Sequence, residues 1–233
     1  MEKIAVIGAG GFVGQALCAE IKRSGNYDCI GVTAQNEGTV SFDGVDTIIY
    51  SANSAKRFAA KNDPEKDFYE TVERMYRYKQ RLSGRKFVLV STISARVQLD
   101  TPYGRNRRAC ETMLVNENNS LIFRLGPMYG LGKLTGALFD IVSENHCYVS
   151  ESTRYSYTDV AYNARKILEL IDQVGVIELG ARNSIQLGEI KEYLGSSSVF
   201  DGVIDDQLMD TTQHDAPDAY EVLKFASNWL ENN

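Results

Sequence analysis

The run Gly8-Ala9-Gly10-Gly11-Phe12-Val13-Gly14 constrains this chain of 233 residues more than any other feature. It follows the apolar stretch Ile4-Ala5-Val6-Ile7 and precedes an amphipathic stretch with Ala16, Leu17, Ala19 and Ile21. A buried strand, a glycine turn and a helix, in that order, make a cradle for a diphosphate. Glycine reaches positive φ at little steric cost, and a turn free of side chains lets backbone amides close on an anion at a helix N-terminus. Glycines also mark ordinary turns. Their position directly after a strand gives the run its reading as the phosphate loop of a dinucleotide site.

Strand and helix patterns alternate through the first half. Strands are expected at 29–33, 46–52, 86–90 and 121–125, the last two being continuous apolar runs suited to burial on both faces. Val40-Ser41-Phe42 reads as a vestigial strand in a polar segment with little room for a helix. A long helix is expected from Asp63 to Leu82, with Asp63 as cap and Pro64 in the first turn, and another over 103–116. Beyond Gly130, helices are expected at 134–143, 159–171, 186–193 and 219–230, with a strand at 176–179. This alternation points to an α/β fold with a doubly wound parallel sheet.

Composition narrows the partners. A hydrophobic share of 43% and a charged share of 24% are ordinary for a globular protein, and the chain is long enough for one substantial core. A net charge of -6 without a basic tail argues against nucleic acid. No apolar run has the length of a membrane span, and Glu2-Lys3 leading into a strand does not read as a signal peptide. Cys18, Cys29, Cys110 and Cys147 have neither metal nor redox spacing, and fit reduced thiols in a cytoplasmic protein. No metal site is expected; His146 and His214 stand in no motif.

The glycine spacing, G-x-x-G-x-x-G through Gly8, Gly11 and Gly14, resembles the short-chain dehydrogenase/reductases, above all their extended branch, the NAD-dependent epimerase/dehydratase family. Three later segments match that pattern in order. Val90-Ser91-Thr92-Ile93-Ser94 is similar to the strand end that bears the family's catalytic hydroxyl, which falls on Thr92, with Ser94 second. On the residues alone, these hydroxyls also read as a strand-end cap. Thr101-Pro102-Tyr103-Gly104-Arg105-Asn106-Arg107 resembles the segment around Tyr-x-x-x-Lys, with Tyr103 as general acid/base and Arg107 where the lysine stands. One helical turn sets residues i and i+4 on one face, so a cation there favours phenolate and reaches ribose hydroxyls. Arginine supplies the charge and a donor fork, yet gives up no proton. Arg124-Leu125-Gly126-Pro127-Met128-Tyr129-Gly130 is similar to the family's loop over the nicotinamide, and on the residues alone is a glycine-proline turn. Arg154–Ala161 resembles the entry to a late helix, with Asp159 at its start.

The resemblance implies a single NAD(P)-binding Rossmann domain over 1–233, with a small C-terminal substrate lobe built mainly from 126–158 and 181–233. It implies hydride transfer on a nucleotide sugar or related keto or hydroxy substrate, with Thr92, Tyr103 and Arg107 as the catalytic set. Cofactor contacts fall on Gly8, Gly11, Phe12, Val13, Gly14, Thr33, Ser51, Ala52, Asn53, Tyr103, Arg107, Gly126, Pro127 and Met128. It also implies a homodimer through the two long helices. Two departures stand out: the family's asparagine position falls near Thr71, and Val32-Thr33-Ala34-Gln35-Asn36 lacks an acidic ribose ligand. The cofactor is then NAD or NADP, with NADP favoured and Lys56 or Arg57 as candidate cations for its extra phosphate. A catalytically weak dinucleotide-binding sensor or assembly protein is the alternative.

Overall fold

The computed structural model describes residues 1–54, 56–211 and 213–232; Ala55, Thr212 and Asn233, the last residue of the expected domain range, lie outside them. The chain divides into two compact units, one formed by Met1–Arg124 with Ala164–Ile177, the other by Leu125–Asn163 with the residues from Glu178 onward.

The first unit is a sheet with helices on its faces. Strand β1 (Glu2–Ile7) is fully buried over Ile4–Ile7 and pairs in parallel with β2 (Tyr27–Val32) on one side and β3 (Thr47–Tyr50) on the other. With β4 (Lys86–Thr92), β5 (Ser120–Leu125) and β9 (Gly175–Leu179), the order is β2-β1-β3-β4-β5-β9 in a six-stranded parallel sheet. Chain direction across the sheet reverses between β1 and β3, the switch point where doubly wound sheets open a crevice at the carboxyl ends of their strands. The expected fold class is found.

Helix α1 (Phe12–Ser24) buries Ala16, Leu17 and Ile21 and ends at Gly25 in the left-handed region. No helix links β2 to β3. Val40-Ser41-Phe42 forms no strand either, a correction to the sequence reading. Phe42 instead packs into the core, and Arg85 donates to the carbonyls of Phe42 at 3.2 Å and Val45 at 3.0 Å, meeting backbone groups that a sheet neighbour would otherwise take. A short α2 (Arg57–Asn62), absent from the sequence reading, precedes the long helical stretch. That stretch comprises α3 (Pro64–Phe68), a π-helical turn (Tyr69–Glu73) and α4 (Arg74–Arg81). Asp63 caps it by accepting from the Lys66 amide at 3.0 Å. Val72, Met75 and Tyr78 meet Ile48, Tyr50, Phe87 and Leu89 in the core. After β4 come α5 (Ser94–Val97) and α6 (Pro102–Thr112).

The second unit holds two small strand pairs: β6 (Met128–Tyr129) beside β8 (Thr158–Asp159), and β7 (Arg154–Tyr155) beside β10 (Ile185–Gln186). Helices α7 (Gly136–Val142), α9 (Leu187–Leu194) and α10 (Glu221–Asn232) cover a core of Leu138, Ile141, Ile185, Leu187, Ile190 and Val222. Helix α8 (Val160–Glu169) begins in this unit and ends in the first. Among the described residues, no helix is long and apolar enough to cross a membrane, and no group of three His, Cys, Asp or Glu is placed to hold a metal.

Candidate functional site

In the first unit, the carboxyl ends of β1, β2 and β3 surround a cleft of about 350 Å³, with Gly8, Gly10, Gly11, Thr33, Ser51, Ala52 and Asn53 among its walls. Close backbone approach explains two of the glycines. Gly8 has φ +90°, and a Cβ on it would meet Ala52 Cα at 2.7 Å; one on Gly14 would meet Gly8 O at 2.1 Å. At Gly11 the same test gives 3.3 Å to Gly8 O, so that position is less strict. Phe12, Val13 and Gly14 form the first turn of α1, whose N-cap Gly11 offers no side-chain bond to their amides. That turn contains no acidic residue, so nothing there opposes an anion.

The far wall was not legible in the sequence. Glu37, Arg74 and Tyr78 also line the cleft. Asn36 folds the turn after β2: its Oδ1 accepts from the Thr33 amide at 2.7 Å and its Nδ2 donates to Gly31 O at 3.0 Å. That turn delivers Glu37 to Arg74, which donates to its carboxylate. Burial, with the neighbouring Glu37 carboxylate, pushes the Tyr78 phenol up to about 12. Ser51 donates to Ile7 O at 2.9 Å, fixing the exit of β3. Asn53 keeps both amide atoms buried without a hydrogen-bond partner in the protein, an uncommon state that a ligand would relieve.

The second constellation lies at the end of β4 and the start of α6. Thr92 Oγ1 accepts from the Ser94 amide at 3.3 Å. Thr101 caps α6 by accepting from the Gly104 amide at 3.0 Å, with Pro102 in the first turn. A Cβ at Gly104 would meet Gln98 O at 2.1 Å and Ser94 O at 2.7 Å, so glycine lets this turn lie against the α5 backbone. Tyr103, next to it, is buried. The Arg107 guanidinium lies 4.3 Å from the Tyr103 ring centroid, one turn along as the spacing required.

Arg107 is itself 1% exposed. It donates to Thr71 Oγ1 at 2.6 Å and to Ser54 O, and pairs with Asp67 at 3.5 Å. Asp67 is also buried and accepts from Asn106 Nδ2 at 2.8 Å. The two positions at which the sequence differs from the pattern it resembles, Arg107 and Thr71, therefore meet in one contact. The π-helical turn presents Thr71 there, a local distortion of a kind common at functional sites.

Arg124, the arginine of the third motif, belongs to another network. It clasps the buried Glu111 through Nε at 3.0 Å and Nη2 at 2.7 Å, while Ser91 donates to Glu111 at 2.7 Å. This network joins β4, β5 and α6. Gly126, Pro127 and Met128 lie in the second unit. Gly126 closes on Met209, whose Sδ a Cβ would meet at 2.8 Å, and Pro127 O accepts from the Thr158 amide at 3.1 Å.

These features define a class by fold: a doubly wound α/β protein with a glycine-lined crevice at the switch point of its parallel sheet. The motif resemblance is borne out at the level of the fold. No protein-family model matches the chain. Among curated proteins, a UDP-2-acetamido-2,6-beta-L-arabino-hexul-4-ose reductase of Pseudomonas aeruginosa is 30% identical over 138 residues, which is 55% of this chain. The matched stretch spans 36% of that protein's length. Among solved structures, RMD from Pseudomonas aeruginosa complexed with NADPH superposes with a TM-score of 0.79 at 15% identity, covering 100% of both chains. A UDP-glucuronic acid 4-epimerase from Bacillus cereus, bound to UDP-glucuronic acid and NAD, gives 0.74 at 16% identity over 98% of this chain and 96% of that one.

Proposed function

We propose that the chain is an atypical extended short-chain dehydrogenase/reductase that binds a nicotinamide dinucleotide and works on a nucleotide sugar or related keto or hydroxy substrate. The observation that carries this reading is the glycine cradle. Gly8 and Gly14 leave no room for a Cβ, the first-turn amides of α1 face no acidic group of that turn, and the adjoining cleft holds the unpartnered Asn53 amide. Those residues fit a dinucleotide. The amides of Gly11, Phe12, Val13 and Gly14 would hold its diphosphate, and Thr33, Ser51, Ala52 and Asn53 its adenosine half. By family likeness, Gly126, Pro127 and Met128 would contact the nicotinamide. When bound, that ring supplies or accepts the hydride.

The protein's own part is proton movement. Tyr103 exchanges a proton with the substrate hydroxyl, and Thr92 donates a hydrogen bond to the substrate oxygen. Arg107 keeps positive charge over the Tyr103 ring while Asp67, Thr71 and Ser54 O hold its fork in place. The likeness to both reductases and epimerases supports hydride chemistry in general.

Glu37 brings to the cleft an acidic group that residues 32–36 lack, and NADP stays the favoured cofactor through Arg74, which would pair with its 2′-phosphate on leaving Glu37. Arg74→Ala is expected to weaken NADPH about tenfold or more while leaving NADH nearly unchanged, the size of one charge-assisted hydrogen bond. Equal loss for both in a binding titration would remove Arg74 from the phosphate role.

The engagement of Arg107 favours one second reading, a binding protein with little turnover, because Thr71, Ser54 and Asp67 occupy donors that a ribose diol would use. Single-turnover hydride transfer from bound NADPH to 4-keto nucleotide sugars separates the two. In the enzyme reading, Tyr103→Phe lowers the rate by about a hundredfold or more, a far larger loss than its effect on NADPH affinity. Binding without transfer in the unaltered protein supports the sensor reading.

A further inference from the structure

Two of the cysteines meet. Cys18 lies on α1 and Cys29 on β2, and alternation along the strand turns Cys29 and Gly31 to the same side. A Cβ built on Gly31 would stand 3.8 Å from Cys18 Sγ, so this is the side that α1 covers. Each thiol is the strongest influence on the ionisation of the other. Both are partly exposed, whereas Cys110 and Cys147 are buried.

Their chemistry divides the same way. Burial pushes the Cys110 thiol up to about 12 and the Cys147 thiol up to about 11, which leaves both protonated and inert. The Cys29 thiol is held down at about 7, first by the neighbouring Cys18 thiol, against its own burial, and further by the charge of Lys22, one helical turn beyond Cys18, while the Cys18 thiol is pushed up. A partly exposed thiolate beside a second thiol is the arrangement that peroxide-sensing proteins require. Neither residue has a part in the hydride chemistry proposed above.

We propose that Cys29 and Cys18 are a peroxide-reactive pair, Cys29 being oxidised first and Cys18 resolving it into an intramolecular disulfide that joins β2 to α1. The Cys29 thiolate attacks the terminal oxygen of a hydroperoxide. An S–O bond forms, the O–O bond breaks, and the departing alkoxide or hydroxide leaves as alcohol or water after taking a proton. Two electrons pass from sulfur to the peroxide, giving Cys29 sulfenic acid. The Cys18 sulfur then attacks the Cys29 sulfur; the S–S bond forms, the S–O bond breaks, and the hydroxyl leaves as water with the Cys18 proton. A dithiol reverses the bridge by exchange.

The test treats the full chain with a stoichiometric amount of hydrogen peroxide, then alkylates it under denaturing conditions and maps its peptides by mass. The expected result is a loss of two hydrogen atoms per chain, one Cys18–Cys29 cross-linked peptide, alkylated Cys110 and Cys147, and full reversal by dithiothreitol. Cys18→Ser is expected to stop at a Cys29 sulfenic acid that dimedone traps. The proposal is overturned by an unmodified Cys29, by Cys29 sulfinic acid with Cys18 still open to alkylation, or by a bridge to any other thiol. Mapping of the unaltered chain decides the matter even where a variant fails to fold.

Discussion

Arg107 is the residue with most at stake. A cation at 1% exposure is tolerable only beside a counter-charge and with its donors met, and Asp67, Thr71 and Ser54 O supply both. Arg107→Met removes the cation and leaves Asp67 buried with its charge uncompensated. The expected loss is about 3–5 kcal/mol, read from the midpoint of chemical unfolding. Arg107→Lys keeps the charge but not the fork, and is expected to cost about 1–3 kcal/mol for the contacts it drops. At this scale, the sequence was legible where the chain is local. Tyr103 and Arg107 stack because one helical turn separates them, and Gly14 is glycine because of a contact with Gly8 in the same loop, whereas the close approach of Gly8 to Ala52 crosses to the end of β3. Glu37 and Arg74 were not legible. They lie far apart in the chain, and Glu37 enters the cleft only through the Asn36 side-chain turn, which composition does not reveal.

Among the elements, the seam between the glycine loop and α1 admits a sharp contrast. Gly14→Ala would drive a Cβ to 2.1 Å from Gly8 O, whereas Gly11→Ala meets the same atom at 3.3 Å. Gly14→Ala is expected to cost about 2–4 kcal/mol and Gly11→Ala less than about 1 kcal/mol, compared by thermal unfolding. Near-equal losses would contradict this account of the loop. Strands and most helices were readable from periodicity, since β1, β4 and β5 are buried on both faces and α1 is amphipathic. The stretch from Asp63 to Leu82 was readable as helical, and its internal change of winding was not. The π-helical turn at Tyr69–Glu73 shifts the helix face, so a single period of 3.6 residues misplaces the side chains of α4. Val40-Ser41-Phe42 misled because an apolar-polar-apolar alternation ending in a buried aromatic looks like a strand, although Arg85 meets its backbone.

For the whole molecule, the testable quantity is the response to ligand. NADPH at a hundredfold its dissociation constant is expected to stabilise the chain by about 2.7 kcal/mol, measured as a rise in unfolding midpoint. Amide exchange is expected to slow at Gly8–Gly14, at Thr33–Glu37 and at Ser51–Ser54. Slowing at Gly126–Met128 as well is the measurement that decides the nicotinamide contact taken from family likeness. The Arg107 cluster bears on a different question, how this chain could change over time. It draws on the segment after β3, on the long helical stretch and on α6, so three stretches of sequence share one set of contacts. Lysine at 107 and asparagine at 71 are therefore a joint step. The two positions share the hydrogen bond from Arg107 to Thr71, so the cost of changing both is expected to differ from the sum of the single costs in a double-mutant cycle read by chemical unfolding. With coupling of this kind, the effect of a substitution at one position depends on the residue that stands at the other.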